Sequence, residues 1–145
     1  KKFNFNTDKT YRILLILGKD IHYKNGLEKM ITTITKKLKT LYTDDFELIL
    51  KFHPGYEPKN NIIPRNLSKI VNIIKNNIYP IEFYDFEKIN LILSPINTSL
   101  FLINKLKLTK KTKLKFYDLY QSDFDQKYQL ANRLKIDKFN FNYSY

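Results

Sequence analysis

A run of apolar residues, Leu48-Ile49-Leu50-Lys51-Phe52, ends at His53-Pro54-Gly55. A buried strand that stops at a His-Pro corner puts an imidazole at the carboxyl edge of a sheet, the edge where open α/β folds bind their ligands. An imidazole in that place can donate a hydrogen bond to an anion or carry a proton near neutral pH. Taken alone, a His beside a Pro is a turn residue with a satisfied hydrogen bond. Glu82 and the pair Thr98-Ser99 change the balance, because they add a carboxylate and two hydroxyls farther along the chain.

Other residues are weaker candidates. Lys51 ends the same run, where a lysine is ordinarily exposed, and it can approach a ligand from there. Gly18-Lys19 follows an apolar segment at another strand end, but without the glycine spacing of a dinucleotide fingerprint or a P-loop. Asp123-Phe124-Asp125 has the spacing of an Asp-x-Asp metal motif, yet it fits better as the charged amino end of a last helix. No metal is expected. His22 reads as a surface-turn residue.

The elements that must position these residues can be read from periodicity. Residues 11–17 (Tyr-Arg-Ile-Leu-Leu-Ile-Leu) form a continuous aliphatic run closed by Gly18, as in a central parallel strand. Gly26 then opens a helix with Leu27, Met30, Ile31, Ile34, Leu38 and Leu41 on one face. Strands are expected at 46–52, 69–74, 89–93 and 114–119, with a polar loop at 54–64 and a short helix at 81–86. Asn97 or Thr98 can cap a helix running through Leu100, Phe101 and Ile103, and a last helix spans 123–134. Strands alternating with helices argue for an α/β fold, a Rossmann-like parallel sheet with flanking helices.

At 145 residues the chain suits one domain, residues 1–145, with a core that needs no staples. It has no cysteine, which excludes a disulfide framework and a thiolate metal site. There is neither a long apolar run nor a charged-then-apolar leader, so a cytoplasmic location is expected. The chain starts Lys1-Lys2 rather than with Met, which suggests part of a longer protein. The 26 Lys and Arg against 14 Asp and Glu give a net charge of +12, attractive to phosphates, nucleic acid or an anionic membrane. Much of that excess is Lys beside abundant Asn and Ile, a bias that AT-rich codons impose.

The ordered set Lys51-Phe52-His53-Pro54, Ile81-Glu82-Phe83 and Asn97-Thr98-Ser99-Leu100-Phe101 resembles the nucleotide-sugar half of bacterial sialyltransferases, especially glycosyltransferase family 80. In that family a Lys-Gly-His-Pro strand end is followed by a Phe-Glu and by a Ser-Ser pair that opens a helix. The resemblance covers roughly residues 46–142, since Leu114 to Tyr117 and Lys127 to Ile136 are similar to the family's last strand and helix. Two positions differ. Phe52 stands where the family has Gly, which is expected to crowd the approach to the nucleotide, and Thr98 replaces the first Ser while keeping a hydroxyl.

The resemblance implies one lobe of a GT-B glycosyltransferase, the carboxyl-terminal lobe that binds CMP-sialic acid. The glycan acceptor and an acidic residue that deprotonates it would belong to an amino-terminal lobe absent here. His53 is then the catalytic donor, with Lys51, Pro54, Glu82, Thr98, Ser99, Gly18 and Lys19 around the donor substrate, and no cofactor. Glu82 would accept from the nucleoside, and His53, Thr98 and Ser99 would face the phosphate. The alternatives are a related transferase with another CMP or CDP donor (a polysialyltransferase or a CDP-alditol transferase) and a basic nucleic-acid-binding module. Specific nucleic-acid recognition is not expected, because the lysines are spread along the chain rather than clustered with aromatics on one face. The one dense cluster, 105–115, fits a solvated loop as well as peripheral contact with an anionic inner membrane. Nucleic-acid binding should therefore appear only at low salt and fall steeply between about 50 and 200 mM; sequence-selective binding that survives physiological salt in a filter or anisotropy assay would reverse that ranking.

Overall fold

The computed structural model describes residues 2–5, 8–17, 23–54, 63–74, 79–96, 98–105, 111–117 and 126–140. Six segments become strands: β1 (Tyr11–Ile16), β2 (Phe46–Lys51), β3 (Val71–Ile73), β4 (Leu91–Pro95), β5 (Lys113–Tyr117) and β6 (Asp137–Lys138). They form one sheet in the order β3-β2-β1-β4-β5-β6, and every neighbouring pair is parallel. This is the doubly wound, Rossmann-like order. It reverses between β1 and β4, so the carboxyl ends of those strands frame the crevice.

Parallel strands need crossovers, and here they cover both faces of the sheet. Helix α1 (Tyr23–Tyr42) joins β1 to β2. Its Leu27, Met30, Ile31, Ile34 and Leu38 pack on Ile13, Leu15 and Leu17 of the first face, together with Leu48, Leu50 and Phe52. The opposite side of the same strands, Leu14, Ile16, Ile49 and Ile92, meets Ile81, Tyr84, Phe86 and Ile89 from the β3-to-β4 crossover, and Ile103 of helix α2 (Thr98–Lys105). Helix α3 (Gln126–Arg133) adds Ala131 beside Leu100 and Phe116. Removing a fully buried side chain such as Leu15 would cost about 2–5 kcal/mol, a large share of a domain's margin.

Several boundaries differ from the sequence expectation. Helix α1 starts at Tyr23, ahead of Gly26, which sits buried inside the helix. Leu41 shares the apolar stripe yet is 55% exposed. A helix of that length spans about 30 Å, while a six-residue strand spans only about 20 Å, so its last turn overhangs the sheet. β4 is shifted two residues later than 89–93, β5 begins one residue before 114, and α3 ends at Arg133 rather than at 134. The Asp123–Asp125 motif and His22 lie outside the described residues. A 3-10 turn at Arg65–Leu67 and strand β6 were not foreseen. β6 is only two residues long, too short for periodicity to register.

The first segment of the chain is held on the second face. Phe3 stacks on Tyr84 at 4.8 Å, and Arg12 lies over the Phe5 ring at 4.3 Å. Arg12 Nε is also 3.9 Å from the fully buried Glu47 carboxylate, which accepts from Asn72 Nδ2 at 3.2 Å; Asn72 Nδ2 lies equally close to the Asn4 carbonyl. Arg12 and Glu47 sit near the starts of β1 and β2, at the sheet's amino edge, with Asn72 reaching them from β3, away from the His-Pro corner. Their role is to pin the start of the chain. A second tie lies nearby, where the Thr10 amide donates to Asp45 Oδ1 at 2.9 Å and the Tyr11 amide to the Asp45 carbonyl at 3.1 Å.

Hydrogen bonds from the Thr10 side chain and backbone, helped by the nearby Lys9 charge, hold the Asp45 carboxyl below its ordinary value. A lowered carboxyl stabilises the fold fully above the unfolded-state value, about 4, and that contribution is lost as pH falls through the folded-state value. Wild type should therefore melt higher than Asp45→Asn at neutral pH, and the two should converge in acid. Calorimetric scans from pH 7 down to pH 2 check this.

Candidate functional site

Because all strands run one way, all their carboxyl ends lie on one edge. Ile16 of β1 is in register with Lys51 of β2, and the Leu17 amide donates to the Lys51 carbonyl at 2.8 Å, so the ladder continues to the foot of the His-Pro corner. β2 is buried along its whole length and the chain emerges at His53, which is exposed. The strand-to-loop transition thus falls where the residue sequence changes from apolar to His-Pro.

His53 Nδ1 lies 2.8 Å from the Pro54 carbonyl oxygen. A carbonyl only accepts, so Nδ1 carries the proton of this bond, and Nε2 accepts in the neutral ring and donates only in the imidazolium. The ring is thereby oriented by the backbone of its own corner. Pro54 restricts the chain at that corner, and its fixed φ helps hold the accepting carbonyl in place. The ring's position allows hydrogen-bond acceptance at Nε2 when the ring is neutral, and donation or proton transfer from Nε2 when it is the imidazolium.

Lys51 departs from the expectation of an exposed strand-end lysine. It is 1% exposed, and its Nζ donates to the Phe52 carbonyl at 2.7 Å. Alternation along β2 sends Phe52 to the α1 face, where its ring is buried in the first core cluster. Lys51 takes the opposite face. The side chain expected to crowd the nucleotide is therefore packed into the core, and the ammonium holds the peptide carbonyl that leads into His53. Lys51 serves this corner from below instead of extending over it.

The second wall comes from β4 and α2. Ser94, at the end of β4, is fully buried and donates from Oγ to the Pro95 carbonyl at 2.9 Å. Helix α2 begins at Thr98 and continues through Ser99, as the capping signal implied, so the amino end of a helix stands at the same edge. Glu82 falls in a 3-10 turn, Ile81–Phe83, within the β3-to-β4 crossover, and that turn packs against α2. The side chains of Glu82, Thr98 and Ser99, and all of Gly18 and Lys19, lie outside the described residues. The backbone thus places the His53 corner and the amino end of α2 on one edge of the sheet, with the turn that carries Glu82 beside α2.

Tyr117 is a further residue at this edge that periodicity did not single out. It ends β5, is 1% exposed, and its hydroxyl donates to the Ile16 carbonyl at 2.6 Å. The only signal was a phenol at the end of an apolar run, and a phenol that is buried ordinarily finds an acceptor. Among the described residues no group of three or more His, Cys, Asp or Glu could hold a metal. Nor is any described helix long and apolar enough to cross a membrane. No protein-family model matches the chain, and no curated protein matches it.

The Nδ1 bond to Pro54 specifies one tautomer. Nitrogen-15 NMR of the neutral imidazole should show His53 protonated at Nδ1, and resonances of the Nε2–H form would show that the corner does not hold the ring in solution.

Proposed function

We propose that this chain is the CMP-sialic acid-binding lobe of a GT-B sialyltransferase similar to glycosyltransferase family 80. The observation that carries the reading is His53, held through Nδ1 by Pro54 at the carboxyl end of β2 in a doubly wound sheet. The residue order noted above supplies the donor class. On this reading a second, amino-terminal lobe brings the glycan acceptor and its general base.

In the reaction, the acceptor hydroxyl oxygen attacks the anomeric carbon of sialic acid as the bond from that carbon to the CMP phosphate oxygen breaks. The acceptor proton passes to the acidic residue of the other lobe, configuration inverts, and CMP leaves carrying the bonding electrons. Negative charge grows on the departing phosphate, so donors aimed at it stabilise the transition state more than the ground state. As the imidazolium, protonated on both ring nitrogens, His53 fills this role from Nε2–H, as hydrogen-bond donor or as the acid that delivers a proton. Thr98, Ser99 and the opening amides of α2 supplement it, and Glu82 accepts from the ribose or the cytosine amine. No metal is required when protein donors take the charge.

CMP should raise the melting temperature of the chain, and UMP should raise it less, because a ligand confined to the folded state stabilises by mass action, about 2.7 kcal/mol at a hundred times Kd. In a two-lobed protein, His53→Ala should lower kcat by roughly a hundredfold or more with the fold intact, as loss of one transition-state donor does. Glu82→Ala should instead chiefly raise the donor KM. Equal thermal shifts with CMP and UMP would remove the cytidine assignment, a preference for CDP would favour the CDP-alditol alternative, and full transfer by a folded His53→Ala would return His53 to a turn residue.

A further inference from the structure

The ladder that joins β1 to β4 is in register from Ile13 with Leu91 to Leu15 with Leu93. Beyond it, at the reversal of strand order, a crevice opens in folds of this order. The alternation that gives the Arg12 carbonyl to the Asn90 amide sends the Ile16 carbonyl toward β4 as well. There it accepts from the Tyr117 hydroxyl at 2.6 Å. Tyr117 belongs to β5, where it is in register with Pro95 of β4, so its side chain passes across β4 to reach β1. Two strand spacings, about 10 Å, are bridged by this single residue. The phenol is also part of the first-face core, with Leu17 and Leu93, and so cannot swing away without opening that core.

We propose that Tyr117 is a positioning residue of the donor site. Its hydroxyl fixes where β1 leaves the sheet, and hence the point from which the chain continues into Gly18 and Lys19, while tying that exit to the end of β5. The proposal rests on the reading of this edge as a CMP site and adds a residue that does not itself touch the donor. A side chain that only filled space would contribute equally as Phe. One that positions the β1 exit must lose its effect with the hydroxyl, because the ring is kept while the hydrogen bond to the Ile16 carbonyl is lost.

The test is Tyr117→Phe, followed in two measurements on the whole chain. Amide hydrogen exchange without ligand should speed up at Leu17 and Ile16 in the variant, with distant core amides less affected. Calorimetric titration with CMP should show binding weakened roughly tenfold, the worth of one buried hydrogen bond, and in a two-lobed enzyme the donor KM should rise with kcat nearly unchanged. If wild type binds CMP and Tyr117→Phe binds it equally well, with unchanged exchange at Leu17, the positioning role is overturned and the donor site stands. If wild type binds no CMP, the donor reading fails and this proposal fails with it.

Discussion

Strand β1 is the constraint on which the rest of the molecule depends. It is hydrogen-bonded to neighbours from both halves of the sheet, β2 on one side and β4 on the other. Ile13, Leu14 and Leu15 are wholly buried, and alternate side chains serve different cores, the α1 layer on one face and the crossover with α2 on the other. No shift of register is tolerable for such a strand, because moving it by one residue would exchange the two apolar sets and carry Arg12 into the core. The register in turn decides which residues emerge at the carboxyl edge. Lys51 is level with Ile16, so the corner at His53 lies just beyond the end of β1, beside the reversal of strand order.

The edge is built from backbone carbonyls that are each held by a side-chain donor. Tyr117 takes the Ile16 carbonyl, Lys51 takes that of Phe52, and Ser94 takes that of Pro95. All three donors are at most 1% exposed. They come from β5, β2 and β4, and they act where β1, β2 and β4 leave the sheet. Loops leaving a sheet are ordinarily the least constrained part of a fold, and donors buried beneath these exits oppose that tendency where each strand ends.

How much of this was legible in the residues follows from what each kind of signal can carry. Runs such as 11–17 and 46–52 are apolar on both faces and bounded by Gly or His-Pro, and they became β1 and β2 almost to the residue. The stripe from Leu27 to Leu38 likewise became the buried side of α1. β6 escaped because two residues cannot show a period, and Leu41 was misread because periodicity gives a direction around a helix without saying where the sheet beneath it ends. At the site, the strand-end place of His53 was readable because Pro54 ends the run abruptly. The burial of Lys51 and of Phe52 was not, since residue type favours the opposite side for a lysine, and the face each takes depends on β2 being covered on both sides. Tyr117 was invisible for a related reason. Its partner is the backbone of a residue 101 positions away, and no local pattern encodes a contact with a carbonyl.

Under the proposed donor-site reading, the same donors bear on how this edge would accept an anion. Carbonyl oxygens exposed at the carboxyl ends of parallel strands carry partial negative charge, and a phosphate brought among them would meet repulsion in surroundings where water screens poorly. Each hydrogen bond from Tyr117, Lys51 or Ser94 offsets that partial charge, and the Lys51 ammonium adds a positive charge beneath the corner. Keeping an ammonium 1% exposed is costly unless its donors are met, and the Phe52 carbonyl meets one of the three. A methionine of similar length would fill the space without that cost but would leave the Phe52 carbonyl without this donor. On the same edge, after β4, stand the first amides of α2, whose dipole presents positive charge at its amino end. The net charge of +12 acts over longer distances and is weakened by salt, so it can bring an anion toward the molecule without choosing a place for it. The choice of place follows from the short-range arrangement, in which the backbone acceptors nearest His53 and the crevice are already engaged and the ring itself is oriented by Pro54.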